Sequence, residues 1–177
     1  VDARRLFVCG TNAFKPVCRY YNFANGTVTA GNASSQTGIG LCPFDERYNS
    51  TFLYNAGQFY GGSTSDSGGR ESVIVMKDVD NKFMRTHPRD PTVLKDANFV
   101  SSHEKEDKVY FFFREIAADL VGEVVVSRVA RVCRKDTGKV FSSYFKARLS
   151  CYLPGNTPFY FDEIQSTSEF GWGHRMP

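Results

Sequence analysis

Histidine is scarce in this chain and tryptophan scarcer, with three and one respectively. His87, His103 and His174 lie far apart in loop-like stretches, so none makes the paired spacing of a metal centre. No pair of carboxylates is marked out by spacing for acid–base work, and no motif calls for a cofactor or a small-molecule substrate. The net charge is only +3, which speaks against nucleic acid as the partner. No run approaches the roughly 18 apolar residues of a membrane span. A secretory leader is also missing. The first residue is Val1, and the charged VDARR leads straight into a strand pattern. The chain therefore reads as cut from something longer, and the missing leader carries no weight.

What the chain does have is aromatic and β-branched residues. Phenylalanine and tyrosine number 16 and 9, in a length that suits one domain with a sizeable core. Strand signals follow one another along it. Leu6–Cys9 is a short apolar run. Thr51–Tyr54 and Gln58–Tyr60 flank the hairpin signal Asn55-Ala56-Gly57. Ser72–Met76 (SVIVM) reads as a buried strand, and Val109–Arg114 (VYFFFR) is the strongest run. Val124–Cys133, Ser143–Cys151 and Phe159–Ile164 complete the series. Asn22–Gly40, Gly61–Arg70 and Ser101–Lys108 read as loops, the last a solvated tip. Glu115–Val121 has about two turns of helix formers but no N-cap, and reads as a turn or short helical excursion. Strands without crossover helices predict an antiparallel all-β fold. No domain boundary and no strict repeat is visible; β-propeller blades repeat in shape with little identity, so a propeller stays open.

The five cysteines are Cys9, Cys18, Cys42, Cys133 and Cys151, an odd number that leaves at least one unpaired within the chain. Their spacings give neither the clustered pairs of a zinc site nor a C-x-x-C redox motif. Cys9 and Cys18 flank Gly-Thr-Asn, and a staple across neighbouring strands is a better reading than free core thiols. Three N-x-S/T sequons, at Asn25, Asn32 and Asn49, fall within 27 residues and have the look of a glycosylated, secreted surface. A disulfide fits that compartment. Closing so short a loop contributes about 2–3 kcal/mol on the chain-entropy model.

Two features test for other functions. Ser65-Asp66-Ser67-Gly68-Gly69 looks like the nucleophile loop of a chymotrypsin-like serine hydrolase, but that chemistry needs a histidine base upstream of Ser67, and none exists. A Gly/Ser loop between strands is the better reading. Arg128, Arg131, Arg134, Lys135, Lys146 and Arg148 give the second half a basic cast. They read as a solvated strand face, with a glycan or acidic-partner patch as the functional alternative.

A family resemblance spans nearly all of the chain. LFVCGTNAFKPVC (Leu6–Cys18), CPFDERYNST (Cys42–Thr51), NFVSS (Asn98–Ser102), DKVYFFFREIA (Asp107–Ala117), SRVARVCRKDTG (Ser127–Gly138), FKARLSC (Phe145–Cys151) and PFYFDEIQS (Pro158–Ser166) resemble the sema domain of semaphorins, in the family's order and near its spacing. The flavour is closest to the invertebrate and transmembrane classes.

The resemblance implies a partial seven-bladed β-propeller with two to three blades present, over residues 1–170, followed by an atypical tail at 171–177. It implies an extracellular guidance cue, secreted or membrane-anchored, whose propeller binds plexin receptors, whose parent is a homodimer, and which catalyses nothing. A plexin-like receptor of the same fold is the alternative. The resemblance also implies that Cys9 pairs with Cys18, that Cys133 and Cys151 have partners further along a longer chain, and leaves Cys42 unassigned. The chain departs from the family at Val93-Leu94, Ala97 and Phe141, where tryptophan and its neighbours are usual, and in a shortened loop after Asp136.

Overall fold

A computed structural model describes residues 5–31, 35–78 and 82–170. Fourteen strands run in chain order: β1 (Arg5–Gly10), β2 (Val17–Ala24), β3 (Thr27–Ala30), β4 (Gln36–Thr37), β5 (Thr51–Asn55), β6 (Gln58–Thr64), β7 (Ser72–Asp78), β8 (Phe83–Arg85), β9 (Asn98–Lys105), β10 (Lys108–Ile116), β11 (Val125–Cys133), β12 (Phe145–Arg148), β13 (Tyr152–Leu153) and β14 (Phe159–Tyr160). No helix occurs among the described residues. The strands form three four-stranded antiparallel sheets and a small hairpin, β13–β14. The second and third sheets are simple meanders, β5 to β8 and β9 to β12. In the first, β2 pairs with β1 along one edge and shares the other between β3 and β4.

The sheets stack face to face, and the sequence of β7 shows why. Val73 and Val75 pack with Phe59, Leu41 and Cys18 against the first sheet. Ile74 and Met76 point the opposite way, into the core shared with Phe99, Phe111 and Phe113 of the third. A strand buried on both faces needs a continuous apolar run rather than alternation, which is what SVIVM supplies. The neighbouring β6 needs two glycines for the same reason. A Cβ at Gly61 would stand 2.6 Å from the Gly40 carbonyl oxygen, and one at Gly62 would stand 2.6 Å from the Phe99 ring. By contrast β10 alternates, with Val109, Phe111, Phe113 and Glu115 buried and their neighbours half-buried. Its other face is crossed by residues 164–170. Thr167 hydrogen-bonds Ser101 and His103, and Phe170 packs on the His103 and Tyr110 rings.

Several expectations are corrected. Asn22–Gly40 is not one loop: β2 runs on to Ala24, then reverses through Asn25-Gly26, which at φ of 50° and 73° give the left-handed two-residue turn that hairpins favour. β6 continues to Thr64, so the following loop is shorter than Gly61–Arg70. The charged stretch after Ser101 is mostly strand, with the reversal confined to Glu106 and Asp107 between β9 and β10. Of the two readings of Glu115–Val121, the turn holds, at Ala118 and Asp119, and no helix forms. Glu115 and Ile116 finish β10, because their partners Val126 and Val125 extend the ladder. Phe159–Ile164 pairs only at Phe159 and Tyr160. At the departures from the family pattern, Leu94, Ala97 and Phe141 are all buried in the core between the second and third sheets.

Candidate interaction surfaces

The first sheet places its two cysteines by register. Cys9 on β1 lies opposite Cys18 on β2, and their sulfurs are bonded across a Cα–Cα distance of 4.0 Å. Asn12, Ala13 and Phe14 all take positive φ to turn the chain between them, and the Lys15 amide donates to the Thr11 carbonyl at 3.0 Å to close the turn. Cys42 is buried nearby, its thiol donating to the Gly10 carbonyl at 3.4 Å, and burial pushes its pKa up. That makes it an unreactive thiol. Cys133 is half-buried on the third sheet and Cys151 is exposed after it; neither is bonded.

The two described sequons sit at the surface. Asn25 is exposed at the β2–β3 hairpin tip. Asn49 is exposed just before β5, its side-chain amide donating to Asn98 Oδ1 at 3.0 Å, the same oxygen that accepts from Arg114 at 2.9 Å. Asn32 lies outside the described residues, as do His174 and the tail 171–177.

Ser67 is exposed and has no hydrogen-bond partner among the described residues. The adjacent Asp66 carboxylate accepts from the amides of Gly68 and Glu71, at 3.1 and 2.7 Å, so it closes the loop rather than orienting a base. His103, on β9, hydrogen-bonds Thr167 at 2.7 Å. No three His, Cys, Asp or Glu side chains converge as metal ligands among the described residues.

The basic series is mostly spent inside the fold, which corrects its reading as a solvated face. Arg128 is buried and pairs with Glu115 at 3.1 Å and Asp119 at 2.7 Å. Lys146 reaches the same Glu115 oxygen at 2.5 Å. Arg134 pairs with Glu104 and Arg148 with Asp162. Arg131 stacks over the Phe145 ring. Because β11 alternates, Arg128 and Arg131 point to opposite faces, so their closeness in sequence makes no common patch. The acids that neutralise them lie as far as 31 residues away, and no local signal names them.

Large apolar side chains remain exposed at both ends of the stack. On the first sheet Leu6, Val8, Phe23 and Val28 face outward, each at least 45% exposed. Beyond the third sheet Tyr152, Leu153, Phe159, Tyr160 and Phe161 do the same. The ends of a stack of sheets are open in this way when further sheets belong against them.

No family profile matches the chain. Individual relatives do. Semaphorin-1A of Schistocerca americana is 41% identical over 177 residues, which covers 96% of this chain and 23% of the relative. Human Semaphorin-6D is 39% identical over 173 residues, covering 93% of this chain and 16% of the relative. Among solved structures, Drosophila Semaphorin 1b, extracellular domains 1–2, superposes with a TM-score of 0.82 at 36% identity, covering 93% of this chain and 32% of that one. A structure of Drosophila Plexin A in complex with Semaphorin 1b matches with a TM-score of 0.81 at 37% identity, again covering 93% of this chain and 32% of that one. The chain thus spans less than a quarter of the length of the curated relatives and about a third of the solved ones.

Proposed function

From the homology of this chain to the semaphorins over nearly its whole length, we propose that it is part of an extracellular guidance ligand that binds a plexin receptor through its completed propeller. The observation that carries the reading is the match, over 93% of the chain, to the semaphorin structure solved with Plexin A. The surface supports it. The sequons at Asn25 and Asn49 stand exposed, and a disulfide staples the first sheet. The protein is read as a binding ligand, in keeping with its semaphorin relatives. Cys133 and Cys151 await partners in later parts of a longer chain, and the parent is a homodimer.

The test is to secrete the sema-domain protein containing this chain from insect cells, establish its mass by light scattering, and titrate it against a set of plexin ectodomains. Saturable binding to at least one plexin is expected, with collapse or turning of plexin-bearing cells. A folded, dimeric protein that binds none of them overturns the reading.

A further inference from the structure

Ser67 stands at the tip of the turn that joins β6 to β7. The Gly69 amide donates to the Asp66 carbonyl at 3.3 Å, which places Ser67 and Gly68 at the two middle positions of a four-residue turn. The Asp66 carboxylate fixes the turn from within by accepting from the Gly68 and Glu71 amides, at 3.1 and 2.7 Å. Behind it Gly69, at φ of 70°, lies so close to Tyr48 that a Cβ there would stand 2.2 Å from the ring. The loop is packed down on one side, and its tip is held outward.

The hydroxyls of this segment are not equivalent. Ser63 and Thr64 are buried. Ser65 bonds Glu71, and Ser72 accepts from the Ala97 amide. Only Ser67 is both exposed and without a hydrogen-bond partner among the described residues. It begins the one Ser-Gly pair in the sequence, with Asp66 before it and Glu71 after. Thr51 lies opposite Gly62, so the exposed Asn49 sequon leaves the same end of the second sheet as this turn. That end presents two acceptor side chains to solvent.

We propose that Ser67 is the acceptor for an O-linked glycan whose first sugar is xylose. The inference rests on the extracellular placement proposed for the chain, because the transferases that make this link work in the secretory pathway. In the transfer, Ser67 Oγ attacks C1 of the sugar of UDP-xylose. The bond from C1 to the diphosphate breaks, UDP leaves, and the hydroxyl proton passes to a base of the transferase. That enzyme class takes a serine followed by glycine with carboxylates close by in the chain, which Asp66, Ser67, Gly68 and Glu71 supply. A mucin-type sugar fits less well. Such sugars collect on Ser/Thr segments rich in proline, and residues 61–87 hold no proline.

The test uses the sema-domain protein secreted from mammalian cells, stripped of N-glycans and digested for mass spectrometry. The peptide carrying Ser67 is expected to be heavier by a pentose or by a chain that starts with one. Ser67→Ala removes the whole shift and keeps the parent's unfolding temperature, since the side chain is exposed and unbonded. A host lacking the protein xylosyltransferase also removes the shift and leaves the N-glycans in place. Sugars on Asn25 and Asn49 report passage through the secretory pathway. Protein that bears them while Ser67 is bare overturns this proposal and spares the extracellular placement, whereas protein bearing no sugar at all overturns both. The proposal also falls if Ser67 carries a hexosamine or a phosphate in place of the pentose, or if the shift persists in Ser67→Ala.

Discussion

Each cysteine's neighbours decide its chemistry. Cys18 is fully buried beside Phe59 and Leu41, so the disulfide to Cys9 also forms part of the core between the first and second sheets. Replacing both by serine removes the cross-link and buries a hydroxyl, with an expected loss of about 2–3 kcal/mol from the cross-link alone. Urea unfolding of the two proteins measures it. Thiol counting under denaturing conditions should find three free thiols in residues 1–177 produced alone, Cys42, Cys133 and Cys151. At the sequons, exposure of Asn25 and Asn49 leads to a second expectation. Protein from a secretory host loses mass on glycosidase treatment, and Asn25→Gln and Asn49→Gln each remove one step of that loss. An unchanged mass in the parent would count against secretion.

At the scale of strands, the third sheet turns on one buried carboxylate. Glu115 ends β10 with no solvent exposure of its side chain and is held by Arg128, Lys146 and the Lys95 amide. Its position follows from alternation along β10, which sends Val109, Phe111, Phe113 and Glu115 to one face. Glu115→Ala leaves two mostly buried cations without their shared partner, and the expected cost is about 3–5 kcal/mol. The double variant Glu115→Leu, Arg128→Met should recover part of it, because removing both partners of a buried pair costs less than stranding one. Chemical unfolding of the parent, Glu115→Leu, Arg128→Met and the double variant in a cycle gives the coupling. An additive cycle would mean that the pair contributes nothing to the sheet.

The described residues form a stack of three sheets and a hairpin, with apolar side chains exposed on the first sheet and on the hairpin. Leu6, Val8, Phe23 and Val28 occupy one end, and the aromatic β13–β14 hairpin lies at the other. Exposed surface of this kind promotes association, and free Cys133 and Cys151 add a route to mixed disulfides. Residues 1–177 produced alone are therefore expected to elute as aggregates or oligomers and to show no plexin binding, in contrast to the binding proposed for the complete sema domain. Size-exclusion chromatography and a plexin titration decide it. A monodisperse monomer with saturable binding would show that these sheets suffice by themselves.

The amino-acid sequence alone determined the fold class, the strongest strands and the resemblance to the semaphorins. These rest on local pattern: the apolar run of β7, the alternation of β10, the Asn55-Ala56-Gly57 turn, and motifs that recur in family order. Hairpin turns and β propensity act over a few residues, so they can be read from a few residues. Only tertiary structure decided the rest. The polar strands β3, β4 and the end of β9 form because a neighbour offers them a ladder, which no local pattern announces. Whether a cation is spent or free depends on acids far away in sequence. Arg128 and Lys146 look free in the sequence until the third sheet brings Glu115 between them. Electrostatic pairing and strand pairing are set by distance in space, and chain separation says little about that.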